Sequence, residues 1–315
     1  MIQNSYFCSR IFLLYMSKTK AWLQAARLRT LPLSFSGIIV GSAMAFKAGY
    51  FETCIFILAL LTTLGFQVLS NFANDYGDGV KGTDNENRIG PKRALQSGLL
   101  TAGELKKGMM LTAFLTLIVA VFLIYIAFGT ENTVYFALFF LFGIASIIAA
   151  IKYTVGKSAY GYKAMGDLFV FLFFGLLSVV GSYFLYHQQL SLALFLPAIT
   201  IGLLSVAVLN LNNMRDRAAD KEVQKITVPV LLGEKNAKKY HAFLLLTAYT
   251  TAFLYFYFFA ESWWQYIPLV VFLPLLKHYA FVITHKNPAA LDPELKKVAL
   301  STFFFSVLFF VVFLL

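Results

Sequence analysis

Nine apolar runs, each about 20 residues long and so able to cross a bilayer as a helix, constrain this chain more than any other feature. They lie near residues 31–50, 53–73, 108–129, 133–152, 167–187, 192–211, 241–260, 264–284 and 298–315. Inside a membrane every backbone amide must find its partner within the protein, so only helices and closed barrels can span it. The runs do not alternate polar with apolar residues, as barrel strands would. The expected fold is an all-α membrane protein: nine transmembrane helices in one domain over residues 27–315, preceded by a tail over 1–26.

The basic residues support that helix count. With the N-terminus on the cytoplasmic side, the tail and the loops after spans two, four, six and eight hold 25 of the 26 lysines and arginines. Only Lys47 falls elsewhere. Shifting the count by one helix would scramble this positive-inside bias. The net charge of +11 is then explained by loops beside anionic lipid rather than by a nucleic-acid partner. Cys8 and Cys54 form no CxxC pair and read as apolar fillers. Residues 1–15 lack a signal-peptide core, and Met16 opens a more natural start, so those fifteen residues read as an extension.

Two polar islands interrupt the apolar text. Residues 71–98 read NFANDYGDGVKGTDNENRIGPKRALQSG, and residues 210–233 read NLNNMRDRAADKEVQKITVPVLLG. Each follows an even-numbered span, four helices apart, which suggests a weak duplication of a four-helix unit. Asp75 and Asp78 are three apart, and Asp216 and Asp220 four apart, so on a helix each pair shares a face. Clustered carboxylates suit Mg²⁺, which is bound through carboxylates together with substrate phosphates. Arg88, Lys92, Arg93, Arg215 and Lys225 could take phosphate oxygens. A metal-bound diphosphate is a good leaving group, and an apolar bundle would hide an allylic cation from water. Thr101 and Glu104 read as a capping box opening the third helix.

The first island resembles the aspartate-rich signature of the UbiA superfamily of intramembrane prenyltransferases, and NNMRDRAAD resembles that family's second aspartate motif. Within it, NDYGDGVKGTD with RIGPKRALQSG, RLRTLPLS at residues 27–34, YTVG at 153–156 and YGYKAMGD at 160–167 look most like the branch acting on 1,4-dihydroxy-2-naphthoate. The resemblance implies a helical bundle with a central cavity. It implies transfer of a polyprenyl group from polyprenyl diphosphate to 1,4-dihydroxy-2-naphthoate, with loss of CO₂ and diphosphate, giving demethylmenaquinone. It implies Mg²⁺ and a place in a bacterial cytoplasmic membrane, with the site open to the cytoplasm.

Carried over residue by residue, Asp75, Asp78, Asp216 and Asp220 are the expected catalytic carboxylates. With Asp84 and Asn212 they are the expected metal ligands. Asn74, Arg88, Arg93, Asn213, Arg215 and Lys225 are expected at the diphosphate. Arg27, Lys152, Tyr153, Tyr162, Lys163 and Asp167 are candidates for the aromatic acceptor, which needs an aromatic wall and a cation. The family's second motif usually runs on as Gly-Lys-x-Thr-Leu; here it is Gln224-Lys225-Ile226-Thr227-Val228-Pro229, which keeps the lysine and threonine. Rival readings are a family member using 4-hydroxybenzoate or homogentisate, and a cation-coupled transporter. Transporters set their acids near the bilayer midplane, whereas these lie at the cytoplasmic ends of spans.

Overall fold

The computed structural model describes residues 18–84 and 89–315. The extension read at 1–15 and Arg88 lie outside the described residues. Among those residues nine helices are long and apolar enough to cross a membrane: α1 (Lys18–Lys47), α2 (Thr53–Val80), α3 (Ala102–Phe128), α4 (Thr133–Lys152), α5 (Gly166–His187), α6 (Leu192–Glu222), α7 (Val228–Phe259), α8 (Trp263–Thr284) and α9 (Pro288–Leu314). The chain is an all-α integral membrane protein. A parallel bridge between Lys163 and Ile226 is the one extended pairing among the described residues.

Several helices overrun their apolar text, and they do so at one end of the bundle. α2 continues to Val80 and α6 to Glu222, where the apolar runs stop near 73 and 211. α1, α7 and α9 begin at Lys18, Val228 and Pro288, ahead of the runs at 31, 241 and 298. Hydropathy marks where lipid ends; helix continues wherever protein packing covers the next turns. Both polar islands therefore begin as helix, and their carboxylates stand on fixed faces.

Local chemistry places the breaks. Thr101 Oγ1 accepts from the Glu104 amide at 3.2 Å and the Glu104 carboxylate accepts from the Thr101 amide at 2.8 Å, so the expected capping box opens α3. α1 breaks at Arg27, whose φ of 48° is left-handed, and resumes after a 3₁₀ turn with Pro32 in its first turn. α7 breaks at Gly233, with φ of 72°. Residues 171–181 of α5 are wound more loosely, as a π-helix.

The most extensive helix contacts are α6 with α7 and α2 with α3, pairs that stand four helices apart. α5 lies close against α6: a Cβ on Gly175 would stand 2.7 Å from the Ala198 carbonyl oxygen and from Gly202 Cα. Tyr255, Phe256, Phe305 and Phe309 are fully buried between α7 and α9. Phe114, Leu246 and Leu276 are exposed on the flanks, as expected of side chains that meet lipid rather than water.

Candidate active site

The ends of α2 and α6 are built alike. Each closes with the paired hydrogen bonds of a Schellman motif. At α2, the Thr83 amide reaches the Asp78 carbonyl at 2.9 Å and the Gly82 amide reaches Gly79 at 3.2 Å. At α6, the Lys225 amide reaches the Asp220 carbonyl at 2.8 Å and the Gln224 amide reaches Lys221 at 3.2 Å. The residue in the left-handed position is Gly82 in one and Gln224 in the other, with φ of 72° and 57°. Gln224 thus holds a left-handed conformation that glycine adopts without strain, and the turn it closes sets the position of Lys225. Pro229 sits in the first turn of α7, where its missing N–H costs nothing.

The two helix ends meet at Lys225. Its ammonium lies 3.9 Å from Asp78 Oδ2 and 3.6 Å from Asp220 Oδ1. Burial alone would lower its pKa, but the carboxylates of Asp78, Asp220, Asp84 and Asp216 outweigh it and hold it above the ordinary lysine value. The Tyr162 hydroxyl donates to Asp78 Oδ1 at 2.7 Å and lies 2.6 Å from Thr83 Oγ1. Lys81 and Lys225 stand 3.9 and 5.4 Å from the centre of the Tyr162 ring. Burial, then the Asp78 charge, raises the pKa of that phenol, so it stays a neutral donor.

Other expected residues are engaged in ways their spacing did not reveal. Asp75 accepts from the Ala94 and Leu95 amides at 3.1 and 3.3 Å, folding the loop after α2 back over its own helix. That fold sets the Arg93 Nε 3.6 Å from Asp84 Oδ2. Arg215 clasps its neighbour Asp216 with Nε at 2.9 Å and Nη2 at 2.6 Å, donates to Asn212 Oδ1 at 2.9 Å, and pairs through Nη1 with Asp292 of α9. Four of the five guanidinium N–H groups are thereby directed at protein. Asn213 is buried on the same helix.

Two loops complete the surround. After α4, the Thr154 hydroxyl donates to the Ala73 carbonyl at 2.8 Å, and a Cβ on Gly77 would meet Thr154 Oγ1 at 2.6 Å. The YTVG stretch is therefore docked on α2, which aims Tyr153 at the site. The Tyr153 phenol has a raised pKa from burial first and then from Asp78, Asp167 and Asp220. Residues 160–165 are pinned to the end of α6 by the Ala164 amide on the Ile226 carbonyl, 2.8 Å, and the Ile226 amide on the Tyr162 carbonyl, 3.3 Å. Asp167 accepts from the Tyr240 hydroxyl of α7 at 3.0 Å. Lys152 and Lys163 have exposed side chains and make no ion pair with the aspartates.

Beneath the carboxylates lies an apolar cavity of about 360 Å³. Asn74 and Tyr153 stand at its polar end, and Phe169, Phe173, Phe174 and Leu177 of the loosely wound α5 line its wall. Ser34, Gln67 and Asn71 add a polar patch: Ser34 Oγ donates to Gln67 Oε1 at 2.6 Å, and Asn71 Nδ2 to the Ala26 carbonyl at 2.8 Å beside Arg27. Sequence reasoning passed over Gln67, Tyr240 and Asp292. Gln67 was visible as an amide inside an apolar run; the other two become meaningful only through contacts with other helices.

Among the described residues, no three carboxylate, imidazole or thiol groups stand close enough to enclose one ion as arranged. Arg215, Lys225 and the loop amides hold their oxygens instead. The donor set nevertheless suits an oxygen-seeking divalent cation. Two helix C-termini, each carrying about half a negative charge, converge with Asp78, Asp216 and Asp220. Asn74 Oδ1 and Thr227 Oγ1 are buried there without a hydrogen-bond partner among the described residues.

Comparison with known proteins agrees with this architecture. The model of the UbiA prenyltransferase family matches residues 34–312. The chain is 43% identical over 294 residues to the 1,4-dihydroxy-2-naphthoate octaprenyltransferase of Escherichia coli (strain K12), covering 93% of this chain and 95% of that one. It is 43% identical over 295 residues to the protein of that name from Haemophilus influenzae, with the same coverage. Among solved structures, the apo UbiA homolog from Aeropyrum pernix K1 superposes with a TM-score of 0.70 at 14% identity, covering 92% of this chain and 99% of that one. The UbiA homolog from Archaeoglobus fulgidus bound to GPP and Mg²⁺ superposes at 0.56 with 18% identity, over 90% and 99% of the two chains.

Proposed function

The chain belongs to the UbiA prenyltransferase family, and from that premise we propose that it transfers a polyprenyl group from its diphosphate to 1,4-dihydroxy-2-naphthoate. The observation that carries the reading is Lys225 held between Asp78 and Asp220, which joins two aspartate-bearing helix ends above an apolar cavity. The relatives named for this reaction, 43% identical over nearly the whole chain, support the choice of acceptor.

The residues divide the work. Lys225 and Arg93 meet the diphosphate oxygens. Asp78, Asp216 and Asp220, with Asp75, Asp84 and Asn212 nearby, would hold Mg²⁺. When bound, the metal would supply positive charge that stabilises the departing diphosphate. The apolar wall of α5 takes the prenyl chain and keeps water from the allylic carbon. Tyr153, at the junction of mouth and cavity, walls the acceptor, and the Asp167–Tyr240 pair fixes the edge of that wall.

The bond from the prenyl carbon to diphosphate oxygen breaks, with its electrons leaving on diphosphate. A bond forms to the ring carbon bearing the carboxylate. Loss of CO₂ returns an electron pair to the ring and leaves the diol, the reduced form of demethylmenaquinone. The test is direct. Purified protein with Mg²⁺, octaprenyl diphosphate and a panel of aromatic acids should yield one prenylated product, from the naphthoate, with the mass of CO₂ missing. A product from 4-hydroxybenzoate alone, or one retaining the carboxyl group, would overturn the acceptor assignment.

A further inference from the structure

The first turn of α9 reaches the second aspartate motif by two routes. One is direct: Asp292 pairs with Arg215 Nη1 while the same guanidinium clasps Asp216. The other is a buried chain of side chains. The Asn210 amide faces His241 Nδ1 at 3.4 Å, His241 Nε2 faces His278 Nε2 at 2.8 Å, and His278 Nδ1 meets Glu294 Oε2 at 2.6 Å. Donors and acceptors match along it when Asn210 donates to His241, His241 to His278 and His278 to Glu294. Both rings are then neutral, and Lys297 balances the Glu294 carboxylate. The chain fixes the turn carrying Asp292 against α6 one turn below Asn213.

Asp216 and Arg215 present a difficulty for any cation-binding role. A bidentate guanidinium is a strong competitor for a carboxylate. Arg215 is 2% exposed in its side chain and Asp216 7%. If Asp216 were its only carboxylate, turning the oxygens of Asp216 toward a metal would leave a buried arginine uncompensated, which is costly. A second carboxylate on the far side of the guanidinium removes that obstacle. The Asp292 side chain, 41% exposed, is on the aqueous side of the pair and takes no part in the cavity.

We propose that Asp292 is a positioning residue of the second aspartate motif: it retains Arg215 so that Asp216 is free to ligate Mg²⁺ and the prenyl diphosphate it carries. The inference rests on the diphosphate reading of the site. It adds a residue remote in sequence from both islands, acting through Arg215 rather than on substrate.

The experiment is equilibrium binding of farnesyl thiodiphosphate, a slowly reacting donor analogue, to the full-length protein in detergent across a Mg²⁺ titration. Asp292→Ala and Asp292→Asn should each weaken analogue binding and raise the half-saturating Mg²⁺ about tenfold, the scale of coupling between contacting residues. Asp292→Glu should restore both to within about twofold. Affinity for 1-hydroxy-2-naphthoate, an unreactive acceptor analogue, should not change, nor should the melting temperature without ligands. Asp216→Ala is the control. If it binds the analogue as wild type does, the diphosphate reading of the second motif fails. If Asp216→Ala loses binding while Asp292→Ala keeps it, only the role of Asp292 fails. Equal weakening toward both analogues with a lowered melting temperature would make Asp292 a structural contact and overturn the inference.

Discussion

Lys225 owes its position to the backbone of one residue. Gln224 holds a φ of 57°, a region that costs a residue with a Cβ about 1–2 kcal/mol. The Schellman bonds and the bridge from Ile226 to the loop after α4 over-determine it. Replacing Gln224 by glycine removes the strain and should leave activity intact. Gln224→Val should fall between wild type and Lys225→Met, because a β-branched residue resists the left-handed turn and moves the ammonium away from Asp78. Lys225→Met should lower kcat about 100-fold, the usual effect of deleting one electrostatic contact to a developing charge, while the protein stays folded. Steady-state kinetics on the three variants decide it; full activity in Lys225→Met would remove the lysine from the mechanism, and full activity in Gln224→Val would remove the left-handed turn as what positions it. The aspartates and this lysine were legible because their spacing and charge are local. The clasp of Arg215 on Asp216 and Asp292 was not, since Asp292 lies 77 residues away and meets Arg215 only through the packing of α9 on α6. Asp75 shows a second limit: composition marks it as a ligand, and only the folded loop reveals two backbone amides on its carboxylate.

At the level of elements, the nine spans were legible because lipid imposes a length and a polarity on each. Their ends were not, because the overrunning turns of α2 and α6 are covered by protein rather than lipid, and packing leaves a weaker mark on composition. Close helix approach is likewise silent until both surfaces are known. Gly175 is one of several glycines in the chain, yet its missing Cβ is what lets α5 lie on the backbone of α6. Gly175→Ala should force backbone to yield at 2.7 Å contacts, at a cost of about 1–3 kcal/mol for overpacking. Gly143→Ala in α4 meets open space and should be neutral or slightly stabilising through helix propensity. Thermal unfolding in detergent should separate the two. Equal melting temperatures would mean that α5 and α6 are not held as closely as described, and with them the loosely wound wall of the cavity.

Across the whole molecule, the two halves share a plan. α2 and α6 are four helices apart, both end in a Schellman turn, and both give the carbonyl of an aspartate, Asp78 and Asp220, to the closing hydrogen bond. The four-helix repeat suggested by the islands thus has a counterpart in backbone geometry. Repeating four helices returns the second motif to the same side of the membrane as the first, which two motifs sharing one substrate require. The basic residues supply an expectation of which side that is. Of the lysines and arginines among the described residues, only Lys47 lies at the opposite end of the bundle, where it pairs with Glu261 at 3.2 Å. On the positive-inside rule we propose that the site faces the cytoplasm and the start of α2 the outside. Cys54, exposed in the first turn of α2, reports this directly. In spheroplasts carrying a Cys8→Ser chain, a membrane-impermeant maleimide should label Cys54 from outside. Moving the thiol by Cys54→Ser and Ser97→Cys, into the exposed loop over the site, should abolish labelling until the cells are lysed. The reverse pattern would invert the bundle, and would require the diphosphate donor and its leaving group to be handled on the outer face.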